Sequence, residues 1–329
     1  MTQDALRGKV VLITGGTGSF GRKCAEVILN EHDIKALRIL SRDELKQLQM
    51  SQELVDARIR FFIGDVRDKD RLLRAMNGVD VVIHAAAMKQ VPACEYNPLE
   101  AVKTNVLGAA NIIDAAIDNA VPRVLFMCTD KAVHPVNLYG ATKLVAEKLF
   151  IQANSYAGGR TRFACVRYGN VVGSRGSVIP LFMRQRNKGV VTITDPRMTR
   201  FWLTLEQGVR FVLDCVGRMV GGEVFVPKIP SMHLTDIVRT IAPEAKVEVI
   251  GIRPGEKLHE DLITTDEARR ALEFDSYFII KPEHSFWQSG NHRDGKAVPP
   301  EFRYSSDTNE QWLKPSDLAA CLEDVILES

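Results

Sequence analysis

The chain has 329 residues, 45% of them hydrophobic and 26% charged, with a formal net charge of +2. That length suits one large domain or two modest ones around a full core, and so balanced a charge gives no electrostatic case for nucleic acid or an anionic membrane surface as partner. No apolar run is long enough to span a bilayer, the first residues show no signal-peptide core, and six cysteines without a CxxC pair read as reduced thiols in a cytoplasmic protein.

Lys9–Thr14 is a short apolar run that ends in glycines, a predicted strand. Phe20–Asn30 reads as a helix, Leu37–Leu40 as a strand and Asp43–Val55 as a helix. Arg60–Ile63 and Val79–His84 are further strands, and Pro98–Asn119 is a long helix with an apolar stripe. Arg123–Met127 is a strand, Leu138–Ala157 a helix and Phe163–Arg167 a strand. Short β-rich runs separated by helices predict a parallel sheet covered on both faces. Right-handed crossovers then give an α/β, doubly wound fold of the Rossmann kind.

After about Gly169 the pattern loosens, and strands at Val190–Thr194, Val224–Val226 and Lys246–Ile250 alternate with short helices. We expect a nucleotide-binding domain over 1–168 and a smaller substrate lobe over 169–281, with some elements returning to the first domain. Residues 282–329, with Gly290, Gly295 and Pro299–Pro300, read as a polar, loosely attached tail.

The first strand runs into Thr14-Gly15-Gly16-Thr17-Gly18-Ser19-Phe20-Gly21. Gly15, Gly18 and Gly21 form a GxxGxxG spacing between strand and helix: a tight turn, a close backbone approach to a diphosphate, and close helix packing. The helix N-terminus then faces the anion with free N–H groups, flanked by Thr17, Ser19 and Phe20. The second strand ends Ser41-Arg42-Asp43-Glu44-Leu45-Lys46. NAD enzymes usually carry an acid there for the ribose hydroxyls, whereas Ser41, Arg42 and Lys46 suit a 2′-phosphate and favour NADP. The alternative is that Arg42 and Lys46 are solvated surface charges. Asp65 and Val66 follow the third strand as an adenine contact. Ala85 follows the fourth as a small residue against the cofactor. His84 reads as a structural histidine.

Tyr139 and Lys143 are spaced by four on a predicted helix, so both face one way. A phenol of pKa about 10 is a poor base at neutral pH. A neighbouring ammonium and a cationic nicotinamide would steady its phenolate. Lys143 can also hold the ribose. The fifth strand ends Met127-Cys128-Thr129-Asp130-Lys131, at the carboxyl end of a parallel sheet where α/β sites form. Thr129 can bond a substrate hydroxyl, and Asp130 and Lys131 add an acid and an amine. Simple alcohol oxidation needs neither; a reaction with extra proton transfers does.

TGGTGSFG, SRDELK, GDVRD, HAAAMKQVP, TNVLG, TDKAVHPVNLYGATK, RYGNVVGSRGSVIPLF, MTRFW, GGEVFVPKIPSM and RPGEKLHE together resemble the inverting UDP-N-acetylglucosamine 4,6-dehydratases, extended short-chain dehydrogenases of the type that opens pseudaminic acid biosynthesis. The resemblance covers about residues 8–282. It implies a lyase that uses NADP and acts on UDP-N-acetylglucosamine, forming a homo-oligomer, dimer or hexamer. It implies transient oxidation at C4, loss of the C5 proton, loss of the C6 hydroxyl as water, and return of the hydride to C6. Tyr139 would take the O4 proton, Lys131 the C5 proton, and Asp130 would serve the leaving oxygen. Lys131 would then need a depressed pKa, with Lys89 a candidate neighbouring cation. Retaining dehydratases have Asp-Glu where this chain has Asp130-Lys131, so inversion at C5 follows. Cys128 stands where such enzymes often have Ser, and a thiol is the weaker hydrogen-bond partner.

By the same resemblance Arg253 binds the diphosphate and Glu256 a hydroxyl of the UDP moiety. Asn170 and Arg175 meet substrate phosphate or cofactor. Lys89, which could also touch the cofactor, and Thr194 are further substrate candidates. Arg197 and Arg200 are either phosphate ligands or surface charges. No His/Cys/Asp spacing suggests a metal site. The rival readings are a retaining UDP-sugar dehydratase, a UDP-sugar 4-epimerase, which would not need Asp130 and Lys131, and an NADP-sensing binding protein, which would not need Tyr139 and Lys143.

Overall fold

The computed structural model describes residues 4–172, 178–283, 287 and 291–327. Its first half alternates strands and helices: β1 (Val10–Thr14), α1 (Ser19–Glu31), β2 (Ala36–Ser41), α2 (Glu44–Glu53), β3 (Ile59–Ile63), α3 (Lys69–Met76) and β4 (Val81–His84). Then come α4 (Val91–Tyr96), α5 (Pro98–Val102), α6 (Gly108–Asp118), β5 (Arg123–Met127), α7 (Leu138–Ala153) and β6 (Arg162–Val166). The second half carries β7 (Asn170–Val171), α8 (Val178–Arg186), β8 (Val190–Ile193), β9 (Thr199–Leu203), α9 (Leu205–Arg218), β10 (Val224–Pro227), β11 (Ser231–His233) and α10 (Leu234–Ile241). It closes with β12 (Lys246–Val249), β13 (Asp261–Ile263), α11 (Thr265–Ala268), β14 (Ala271–Glu273), β15 (Tyr277–Ile280), β16 (Lys296–Ala297), β17 (Tyr304–Ser305) and α12 (Pro315–Leu327).

Ten strands form one sheet in the order β16-β14-β15-β10-β6-β5-β4-β1-β2-β3. The seven from β10 to β3 are parallel, and β15, β14 and β16 add antiparallel at one edge. This is the doubly wound fold that the strand–helix alternation predicts. Successive residues of a strand point to opposite faces, so Leu12, Val82 and Val124 join one apolar layer while Val11, Ile13, Val81, Ile83 and Leu125 join the other. Both faces are therefore dry, and the strands read as continuous apolar runs. Among the described residues, no helix is long and apolar enough to cross a membrane.

Asp43 caps α2 by accepting from Lys46 N at 3.0 Å, and Asp68 caps α3 from Arg71 N at 3.0 Å. The sequence reading leaves α3 and α4 without a helix; at eight and six residues they are too short for periodicity to reveal. The long helix expected over 98–119 forms, but with one π turn at Lys103–Leu107 between α5 and α6. That turn carries Asn105, which accepts from Met88 N at 2.8 Å and donates to Met88 O at 2.9 Å and to Thr142 Oγ1 at 3.0 Å. It ties the loop after β4 to α7.

Two expectations for the second half change. Val224–Val226, read as an isolated lobe strand, forms β10 and pairs with β6 in the main sheet, one of the elements that returns to the first half. The tail is not loosely attached over its described residues. β17 pairs with β13, Tyr304, Ser305 and Ser306 are buried, and Leu318 and Leu322 of α12 enter the lobe core with Trp202, Met232 and Ile237. Polar composition misleads here, because the buried serines and Asn309 are satisfied by hydrogen bonds.

Candidate active site

A cleft of about 1220 Å³ lies at the carboxyl ends of the parallel strands and reaches the lobe. The glycine turn, Ser41, Arg42, Lys46, Asp65, Val66 and Ala85 line one end. Thr129, Lys131, Tyr139 and Lys143 line the middle, and Lys89, Asn170, Thr194, Arg253 and Glu256 line the rest. Arg175 lies outside the described residues.

At the nucleotide end, Gly15 has φ +67, and a Cβ there would stand 2.9 Å from the Ala86 backbone. Only glycine lets the turn come this close. Gly18 is the N-cap of α1, so the positive end of that helix opens on the turn, where an anion is favoured. These features fit a dinucleotide diphosphate. Arg42 Nη1 is 3.6 Å from Asp65 Oδ2, and Lys46 Nζ is 2.9 Å from Asp43 Oδ2. Arg67, not singled out from the sequence, also holds Asp65, at 2.7 Å. Asp65 is thus an ion-pair partner as well as a cleft residue.

His84 is buried and bonds Thr14 Oγ1 through Nδ1 at 2.7 Å, while its ring stacks on Phe126. Burial, with Lys143 adding, pushes it down to about 3, so it stays neutral. It does not line the cleft, in keeping with a structural role.

α7 presents Tyr139 and Lys143. Asn137 caps the helix from Gly140 N at 2.8 Å and donates to Gly255 O at 2.8 Å, which docks the loop around residue 255 beside the helix start. A Cβ on Gly140 would collide with Lys131 O, so this glycine admits the Asp130–Ala132 turn against α7. Sequence reasoning passed over it. Burial pushes the Tyr139 phenol above its ordinary value, Cys128 adds, and the hydrogen bond with Thr129 opposes. Lys143, expected to steady the phenolate, instead donates to Met127 O at 2.6 Å and lies 3.9 Å from the Phe126 ring centroid. Burial lowers it to about 8. Cys128 is buried and lines the same wall.

Thr129 opens a 3₁₀ turn, Asp130–Ala132. Asp130 is fully buried and stands behind the cleft wall. Its Oδ1 accepts from Thr129 Oγ1 at 2.9 Å and from Lys131 Nζ at 3.0 Å, and its Oδ2 has no hydrogen-bond partner among the described residues. Burial lifts the carboxyl above its ordinary value; Lys131 opposes and Glu260 adds. Lys131 Nζ also donates to Asn170 Oδ1 at 3.2 Å and lies 3.6 Å from Glu260 Oε1. Burial alone would lower this amine, but Asp130 and Glu260 outweigh it and hold it above its ordinary value. This reverses the expected depression of Lys131. The depressed amine is Lys89, by burial and then by Lys131. The sequence reading looked for a neighbouring cation and missed a second carboxylate, Glu260, which lines the cleft.

Arg253 N bonds Glu256 Oε2 at 3.3 Å, so these two sit on one tight turn. Thr194 Oγ1 donates to Met198 Sδ at 3.0 Å. Arg200 lines the cleft while donating to the carbonyls of Thr199, Lys257 and Leu258, and it shapes the 253–260 loop. Arg197 pairs with Asp195 at 2.7 Å and stays off the cleft wall, a surface charge. Among the described residues no cluster of His, Cys, Asp and Glu could hold a metal.

The profile of the family described as polysaccharide biosynthesis protein matches residues 11–282. A UDP-N-acetylglucosamine 4,6-dehydratase (inverting) of Campylobacter jejuni is 51% identical over 321 residues, 94% of this chain and 96% of that one. A UDP-glucose 4-epimerase of Rickettsia conorii is 45% identical over 281 residues, 83% of this chain and 82% of its own. Among solved structures, Pen from Bacillus thuringiensis matches with a TM-score of 0.89 at 40% identity, over 98% of this chain and 99% of that chain. The chain belongs to the polysaccharide biosynthesis protein family, among the extended short-chain dehydrogenases that include the inverting UDP-N-acetylglucosamine 4,6-dehydratases.

Proposed function

We propose that this chain is an NADP-dependent, configuration-inverting UDP-N-acetylglucosamine 4,6-dehydratase, a hydro-lyase. The observation that carries this reading is the Asp130–Lys131 pair, bonded at 3.0 Å, whose lysine lines the same cleft as Tyr139 and Lys143 while its aspartate stands just behind the wall. An epimerase has no use for a second acid–base pair beyond the tyrosine. The relative named as an epimerase makes that the reading to separate.

The turn at Gly15–Gly21 would hold the cofactor diphosphate, and Ser41, Arg42 and Lys46 a 2′-phosphate. When bound, a nicotinamide supplies an acceptor that takes a hydride and gives it back. Tyr139 receives the O4 proton, for which its buried phenol must first be ionised; a cationic ring favours that. A ketone at C4 makes the C5 proton acidic. Lys131 and Asp130 can meet this with one internal shift. The proton on Lys131 Nζ passes to Asp130 along their hydrogen bond, which leaves a neutral amine to take the C5 proton and, behind the wall, a carboxylic acid that serves the C6 oxygen through the cleft-lining Thr129 hydroxyl bonded to it. The desolvated Asp130 carboxyl favours that transfer. Arg253 and Glu256 hold the UDP end and Asn170 and Lys89 the sugar. Delivery of the returning proton to the opposite face of C5 gives inversion.

Incubation with UDP-N-acetylglucosamine in D₂O tests the proposal. The expected product is the 6-deoxy-4-keto sugar with inverted C5, carrying deuterium at C5 with no net consumption of cofactor. An unreduced 4-epimer, or a product retained at C5, would overturn it.

A further inference from the structure

Glu260 stands just before β13 and is 3% exposed. Its Oε1 faces Lys131 Nζ at 3.6 Å and Arg200 Nε at 4.0 Å, and its Oε2 accepts from Lys257 Nζ at 3.2 Å. Its backbone is fixed as firmly. Glu260 N donates to Ser306 Oγ at 2.9 Å, and Ser306 N donates to Glu260 O at 2.9 Å. Lys257 also donates to Val133 O at 2.6 Å, at the end of the Asp130–Ala132 turn. The carboxylate is thus anchored in the lobe and aimed at the catalytic turn.

Lys131 is a flexible side chain with many staggered states of similar energy. Asp130 holds its ammonium from the turn, Asn170 from β7, and Glu260 from the lobe. Building on the dehydratase reading, we propose that Glu260 is a positioning residue for Lys131: its lobe-anchored carboxylate sets where that amine stands and how firmly it keeps its proton.

The charged groups that act on Lys131 are Asp130, Glu260 and Arg200, and Lys89 feels Lys131 in turn. Those acting on Glu260 are Lys131, Arg200 and Lys257; against the cost of burial they hold its carboxyl below the ordinary value. Glu260 therefore stays ionised while Asp130 is the acid poised to take a proton. In the internal shift, one N–H bond of Lys131 breaks and one O–H bond of Asp130 forms, with no proton drawn from solvent. Glu260 opposes that shift in the resting site. It keeps the amine charged and in place until a ligand in the cleft alters the balance.

The test follows the ¹³Cε resonance of Lys131 in ¹³C-lysine-labelled holoenzyme, identified by its loss in Lys131→Ala. Removing an anion from a cation within 4–6 Å lowers the cation's pKa by about 1–3 units. Glu260→Gln should lower the Lys131 titration midpoint by about that much, and Glu260→Asp, which draws the carboxylate back by one methylene, should lower it by less. The rising limb of the pH profile for C5 deuterium exchange should move the same way, with bound cofactor unchanged. A midpoint that stays put in Glu260→Gln overturns the proposal; if that variant does not fold, an unmoved midpoint in Glu260→Asp does so. Absence of C5 exchange in the unaltered protein would sink the dehydratase reading, while the titration would still decide the role of Glu260.

Discussion

Two buried charge clusters join the nucleotide-binding half to the lobe, and they share a plan. In each, one cation and one acid come from the first half of the chain and a second acid from the second half: Arg167 lies between Glu147 and Glu267, and Lys131 between Asp130 and Glu260. The Arg167 cluster is saturated. Its five N–H donors find Glu147 at 2.6 and 2.7 Å, Glu267 at 2.7 and 3.0 Å, and Leu262 O at 3.1 Å. The Lys131 cluster is not. Asp130 Oδ2 has no partner among the described residues, and 26% of the Lys131 side chain is open. A guanidinium also keeps its proton at any working pH, whereas an amine can lose one. The first cluster can only clamp; the second retains the freedom that proton transfer requires.

The sharpest break of that comparison is a swap of consequences. Lys131→Ala should lower the dehydration rate by about 10²–10⁴-fold, the usual worth of a general base, while cofactor stays bound. A product assay beside a cofactor extraction checks both. Arg167→Met should do the reverse. Removing the cation strands Glu147 and costs about 3–5 kcal/mol of stability, read by urea unfolding, with the rate per folded molecule changed no more than a few-fold. The clamp also has a pH signature. Although burial works against it, Arg167 holds the Glu267 carboxyl down to about 2. A depressed carboxyl stabilises the fold above its ordinary pKa of about 4.3 and loses that contribution as pH falls through the folded value. Acid unfolding of Arg167→Met should therefore lose the part of its pH dependence between about 4.3 and 2. The smallest effect belongs to the exposed pairing of Arg42 with Asp65. Arg42→Ser should weaken NADP by about 1–2 kcal/mol, roughly 5–30-fold, and leave NAD unchanged in a binding titration. Equal loss for both cofactors would remove Arg42 from phosphate recognition.

The saturated and unsaturated clusters also differ in how far the sequence announces them. The glycine turn, the Tyr139–Lys143 spacing and Thr129-Asp130-Lys131 are short-range patterns tied to strand ends, so local rules find them; all but Asp130 of the last triplet line one cleft. Glu260 meets Lys131 across 129 positions of chain, and Arg167 meets Glu267 across 100. No periodicity encodes such pairings. The protonation of Lys131 was misjudged for the same reason: the sequence shows its neighbour Asp130 and conceals the acid delivered from the lobe. Arg200 was ambiguous because its role is to hold the carbonyls of residues 257 and 258, which only the folded loop reveals. The tail was misread because composition records polarity but not satisfaction.

The Ser306 hydroxyl behind Glu260 has a consequence for how this enzyme comes into being. Synthesis proceeds from the amino end, and early segments can fold while later ones are still being made. The nucleotide-binding strands could be assembled on the ribosome, yet the support for the last acid of the cluster is translated 46 residues after that acid. A nascent chain released short of β17 would lack the hydroxyl that bonds the Glu260 backbone. Translation past β17 thus precedes the fixing of this acid in place.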